Sequence, residues 1–156
     1  MVKRWLTVIA AVALAGCSQD GSAGKTEVAV AEAAKPIDAA AVAGKLQAAG
    51  IPIKQLQILT AENDPNAMLG RPGGYSSKVL FRDGRHEGDQ LADDSTIEVF
   101  ADEAGAAKRK AYVESVTEGT PFLTQYMYQQ GPVLVRLDRT ITPAEAAKYE
   151  QALKSI

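Results

Sequence analysis

Residues 123–156 read LTQYMYQQGPVLVRLDRTITPAEAAKYEQALKSI, and this stretch contains both kinds of element on which the fold turns. Residues 123–130 and 133–138 are strand candidates joined across Gly131-Pro132. In the second, Val133, Val135 and Leu137 share a face, so the pair reads as a hairpin with one side against a core. Thr142-Pro143-Ala144-Glu145 then combines an N-cap, a proline at the first helical position and a glutamate three residues after the cap. The helix it starts carries an apolar stripe of Ala146, Tyr149, Ala152, Leu153 and Ile156.

The rest of the chain extends this pattern. Asp38 is an N-cap candidate for a helix whose Ala39, Val42, Leu46 and Ala49 recur at helical spacing, and Gly50 supplies a left-handed stop. Ile51 then stands where the Schellman motif expects a contact with Leu46. Residues 53–60 alternate Leu56 and Ile58 against Gln55 and Gln57, as a half-buried strand does. Residues 75–82 place Tyr75, Val79 and Phe81 on one face, and residues 96–100 pair Ile97 with Val99. A helix is expected over residues 102–118, with Asp102 and Glu103 at its positive end, Gly119 after it and a stripe of Ala104, Ala107, Ala111, Tyr112 and Val116. The order α-β-β-β-α-β-β-α predicts one small α+β domain over residues 36–156, with an antiparallel or mixed sheet of about five strands and three helices packed on one face.

Ahead of this domain, Lys3 and Arg4 precede an apolar run from Trp5 to Leu14 that closes on Ala15 and Gly16, the plan of a secretory signal over residues 1–16. The run is about half the ~20 residues that a membrane-spanning helix needs. Leu14-Ala15-Gly16-Cys17 resembles the lipobox of bacterial lipoproteins. That resemblance implies cleavage before Cys17, diacylglycerol on its sulfur and acylation of its new amino group. Two or three chains at about 0.8 kcal/mol per buried CH₂ hold a protein on a membrane essentially permanently. Ser18, not being aspartate, implies export to the outer membrane in a Gram-negative cell; with a single membrane the anchor lies on that membrane's outer face. Residues 18–35 lack aromatics and are rich in Ala, Gly and Ser, so residues 17–35 read as lipidated cysteine and tether.

Cys17 is the only cysteine, which excludes a disulfide and thiol catalysis in the domain. Loss of Lys3 and Arg4 with the signal changes 17 basic residues against 19 acidic to 15 against 19, an acidic balance that argues against nucleic-acid binding. No cofactor motif is present. His86, the single histidine, lacks a second His or Cys with which to build a zinc site and reads as part of a solvated loop. Asp83, Glu87, Asp89, Asp93 and Asp94 do not have EF-hand spacing. Glu114 and Glu118 fall on the polar side of their helix, and no Gly-x-Ser-x-Gly elbow supports a Ser-His-Asp hydrolase.

The most distinctive stretch, Asp64-Pro65-Asn66-Ala67-Met68-Leu69-Gly70-Arg71-Pro72-Gly73-Gly74-Tyr75, allows two readings. Its Gly and Pro residues suit tight turns. Alternatively, the amides of Gly73 and Gly74, with Arg71 and Lys78, form an anion-binding loop of the nest type. Tyr126 and Tyr128 share a strand face near Phe122 and serve either the core or a recognition platform.

The runs DPNAMLGRPGGYSSKVLF, IEVFADEAGAAKRKAYVES, GPVLVRL and TPAEAAKYEQAL resemble a group of small, uncharacterised bacterial secreted proteins and lipoproteins. The resemblance covers most of residues 50–156 and implies one exported domain, with no functional residue carried over. Taken with the anchor and the lack of a catalytic constellation, it points to a non-enzymatic envelope interaction or accessory domain with an envelope protein as partner. The alternatives are a small-molecule or ion-binding envelope protein, or an undetected hydrolase. A closed sheet face without a pocket would favour protein interaction, and an apolar cavity with convergent polar groups a ligand.

Overall fold

Asp38 opens helix α1 (Ala39–Ala48) by accepting a hydrogen bond from the Ala41 amide at 2.7 Å. At the other end the Gly50 amide donates to the Gln47 carbonyl and the Ile51 amide to the Leu46 carbonyl, with Gly50 at φ +88°. This is the anticipated Schellman motif, and Leu46 and Ile51 both lie in the core. The computed structural model describes residues 37–86, 95–120, 123 and 125–156. The signal, Cys17, the tether, Phe122 and the acidic residues 87, 89, 93 and 94 lie outside them.

Within the compact unit Lys35–Ile156, α1 is followed by β1 (Ile53–Ile58), β2 (Ser77–Asp83), β3 (Ser95–Val99), α2 (Glu103–Thr117), β4 (Tyr126–Gln130), β5 (Val133–Leu137) and α3 (Pro143–Lys154). The strands form one antiparallel sheet in the order β1-β2-β3-β5-β4. The fold is α+β with the element order read from the sequence. The Gly131-Pro132 turn of the β4–β5 hairpin uses Gly131 at φ +51°. α3 has the full capping box: the Glu145 amide donates to the Thr142 hydroxyl, and the Thr142 amide donates to the Glu145 carboxylate.

Strand alternation splits the sheet into two chemically different faces. Val79, Phe81, Ile97, Val99, Val133, Val135 and Leu137 point to one side, where α1 and α3 cover them with Val42, Leu46, Tyr149 and Leu153. The Phe81 and Tyr149 rings meet there with centroids 6.0 Å apart. Tyr126 and Tyr128 pack at the margin of this core, half-buried. Lys78, Thr96, Glu98, Leu134 and Arg136 point to the other side, where α2 packs on β4 and β5 and reaches Glu98 through Arg109, and Asp64 and Tyr75 meet Lys78.

Four sequence expectations therefore change. The helices do not share one face of the sheet: α1 and α3 lie on one and α2 on the other. α2 turns Ala106 and Val113 inward and leaves Tyr112 and Val116 exposed, because Arg109 occupies its inner face and is matched by Glu98 beneath it. Tyr75 precedes β2, so strand alternation does not bind it to Val79, and it joins Phe100, Ala106 and Leu134 in the α2-side cluster. On β1 the pairing with β2 shifts between Lys54 and Gln57, with Gln55 at φ +49°. This bulge, on an edge strand, leaves Leu56 and Ile58 exposed, Ile58 at 61%.

Candidate functional site

The loop that leads from β1 into β2 folds around one carboxylate. Asp64 accepts hydrogen bonds from the amides of Asn66 (3.2 Å), Met68 (2.8 Å) and Leu69 (3.1 Å), and from the Tyr75 hydroxyl at 2.6 Å. Burial would raise the Asp64 pKa, but the Tyr75 and backbone donors outweigh it and hold it below the usual value. The Tyr75 phenol is pushed up by burial and by the carboxylate it faces. Two further turns close the loop: the Arg71 amide donates to Met68 O, and the Gly74 amide to Arg71 O. Gly70 and Gly73 have positive φ, +73° and +76°. Gly74 is needed for space instead, since a Cβ there would stand 1.9 Å from the Met68 carbonyl oxygen.

Lys78 extends the network under the sheet. Its Nζ lies 3.8 Å from Asp64 and 3.4 Å from Glu98, and 5.0 Å from the centroid of the Tyr75 ring. Burial lowers the Lys78 pKa, and Glu98 and Asp64 oppose that shift. Glu98, fully buried at the centre of the sheet, also meets Arg109 Nε at 3.2 Å and Arg136 Nη1 at 3.4 Å. Arg136 donates two more hydrogen bonds to Gln125 Oε1, at 2.7 and 3.1 Å. Burial lowers its pKa, an effect countered by Glu98 and reinforced by Arg109. Thr96, paired in register with Arg136, keeps its buried hydroxyl without a hydrogen-bond partner among the described residues.

The two arginines reach a groove of ≈ 650 Å³ between α2 and the loop, whose apolar lining includes Met68, Tyr112, Val116 and Leu123. Tyr112, Val116 and Leu123 are about half exposed. Gly73 is on its rim, as is Lys108.

Of the four residues named for an anion-binding loop, Arg71, Gly73, Gly74 and Lys78, only Gly73 lines this groove. Arg71 is exposed at the turn, Gly74 is packed against the Met68 carbonyl, and Lys78 is buried against Asp64 and Glu98. The amides of the loop that point inward hold the chain's own Asp64. Sequence reasoning passed over Glu98, Arg109 and Arg136. The available signal was the alternation Thr96-Ile97-Glu98-Val99 in an interior strand, whose polar face reads as solvent unless a cation is known to cover it.

A second polar cluster joins the end of β2 to α3. Asp83 is held below its usual pKa against the effect of burial by Arg85 and the Tyr149 hydroxyl, which donates at 2.8 Å. Glu145 receives the His86 Nε2 contact at 2.9 Å and lies 3.4 Å from Arg85. His86 is thus tied to the α3 N-terminus through Glu145. Compared with protein-family models, curated proteins and solved structures, the chain matches none.

Proposed function

We propose that this chain is a lipoprotein anchored in the cell envelope through Cys17, and that its domain acts by binding a small ligand in the groove between α2 and the 64–75 loop. The observation that carries this reading is the groove itself, where half-exposed Tyr112, Val116 and Leu123 meet the guanidinium groups of Arg109 and Arg136. A volume of ≈ 650 Å³ suits a small molecule, and apolar walls with a few convergent polar groups are the usual form of such sites. Binding is favoured over catalysis because the adjacent carboxylates are engaged: Asp64 by three amides and Tyr75, Glu98 by three cations. Asp64, held as an anion by these donors, makes a poor general base. The lipobox supports the anchor, and the small-ligand reading takes precedence over an interaction domain because an apolar groove with two convergent guanidinium groups is present beside the covered sheet.

Two measurements test this. Cys17→Ser should lose its acyl label and leave the detergent phase; unchanged partitioning would overturn the anchor. A photoreactive residue at Val116 of the envelope-bound protein should acquire a small-mass adduct that is missing when the residue stands at exposed Lys45 on α1. No adduct, or a protein-sized one, would overturn the small-ligand reading.

A further inference from the structure

We infer that the groove takes a single-tailed amphiphile with one anionic head, its carboxylate against Arg109 and Arg136 and its alkyl chain along Tyr112, Val116 and Leu123. This rests on the small-ligand reading above and adds the ligand's chemical class.

Charge supplies the first argument. Three cations, Lys78, Arg109 and Arg136, converge on Glu98, and among the described residues Asp64 is the one other carboxylate in contact with them, so this cluster carries one positive charge in excess. Lys108 on the rim has the same sign. In a half-desolvated groove such an excess attracts an anion and disfavours a cation.

Unused hydrogen-bond capacity supplies the second. Each guanidinium has five N–H donors. Arg109 directs two at Glu98, at 3.2 and 3.5 Å, and Arg136 directs one at Glu98 and two at Gln125. The remaining N–H donors have no hydrogen-bond partner among the described residues, and both side chains line the groove. A carboxylate accepts from such planar donors at two oxygens, and these charge-assisted bonds are stronger than neutral ones.

The third argument is the direction of the apolar surface. Arg109, Tyr112, Val113 and Val116 recur at helical spacing along α2, so the groove passes from charge to exposed hydrocarbon along one helix face. Arg109 also lies 5.8 Å from the Tyr112 ring centroid, which marks where the polar and apolar parts meet. Leu123 and Met68 continue the apolar wall on the other side.

The test is titration of the full-length protein with dodecanoate, methyl dodecanoate and dodecyltrimethylammonium, each below its micellar concentration, followed by calorimetry. Dodecanoate should bind, the ester should bind about tenfold more weakly or less, and the cation should not bind. Val116→Glu, an exposed change away from the buried cluster, should weaken dodecanoate about tenfold with an unchanged melting temperature. Arg136→Gln should remove the preference for acid over ester; if it fails to fold, Val116→Glu still decides. Equal binding of acid, ester and cation, or no effect of Val116→Glu, overturns the proposal. Failure of all three probes, with a small-mass adduct still formed at position 116, overturns the ligand class and leaves the small-ligand reading standing.

Discussion

The Tyr75 hydroxyl donates to the Asp64 carboxylate at 2.6 Å, and this contact closes a loop whose amides already surround the same group. Tyr75 also packs edge-on against Phe100 at 6.0 Å, so one side chain joins the loop to the α2-side core. Tyr75→Phe keeps the ring and removes the donor. It should cost about 1.5–3 kcal/mol in urea unfolding, the range for a hydrogen bond to a charged group. The Asp64 pKa is depressed in the folded chain, so its contribution is complete above the unfolded value of 3.8 and is lost as pH falls through the folded value. The Tyr75→Phe deficit should therefore shrink in that acid range; a deficit independent of pH would show that Asp64 is not the partner.

The loop's glycines separate two mechanisms. Gly74→Ala should be the most damaging change, because its Cβ would collide with the Met68 carbonyl oxygen and the backbone must move. Gly73→Ala meets no obstacle and carries only the left-handed strain of φ +76°, about 1 kcal/mol. Arg71→Ala, on an exposed side chain, should fall within about 0.5 kcal/mol. Melting temperatures of the three variants give the order directly, and equal losses at positions 73 and 74 would refute it.

Ion pairs at different depths should differ in worth. Glu98→Ala leaves Lys78, Arg109 and Arg136 without their common carboxylate and should destabilise by about 3–5 kcal/mol. Lys154→Ala breaks a closer contact, 2.6 Å to Glu150, yet should cost about 0.5 kcal/mol or less, because both groups are well exposed and screened. Denaturant midpoints compare the two, and a Glu98→Ala protein as stable as Lys154→Ala would show that the buried network is energetically idle.

Acid should loosen the α3 N-terminus. The Glu145 carboxyl is held at about 2, chiefly by the Thr142 amide and hydroxyl and then by His86. A depressed carboxyl stabilises above its unfolded value of 4.5, and this contribution declines as pH falls toward about 2. Asp83, also depressed, fades with pH in the same sense. Glu145→Gln should accordingly be less stable than the parent near neutral pH and converge with it at the acid end. Thermal unfolding across that range checks this, and parallel curves would exclude Glu145 as an acid-sensitive contact.

The sequence by itself determined the secondary elements, because their signals are local. Asp38 with Gly50 brackets α1, Thr142-Pro143 with Glu145 starts α3, and Gly131-Pro132 turns β4 into β5; each is a matter of backbone groups a few residues apart. Val133, Val135 and Leu137 were legible as a core face because hydrocarbon declares burial without needing a known partner.

Only the tertiary structure decided which polar side chains go inside. Glu98, Arg109 and Arg136 carry no local sign of burial, and Lys78 read as an anion-binding candidate, since a charge is buried only when a distant residue matches it. Arg109 turned inward carries Ala106 and Val113 with it, reverses the face of α2 assigned from its apolar stripe and exposes Tyr112 and Val116. The groove follows from that reversal. Its two guanidiniums come from a helix and a strand 27 positions apart in sequence, brought together by a carboxylate on a third element, and no local pattern contains that pairing.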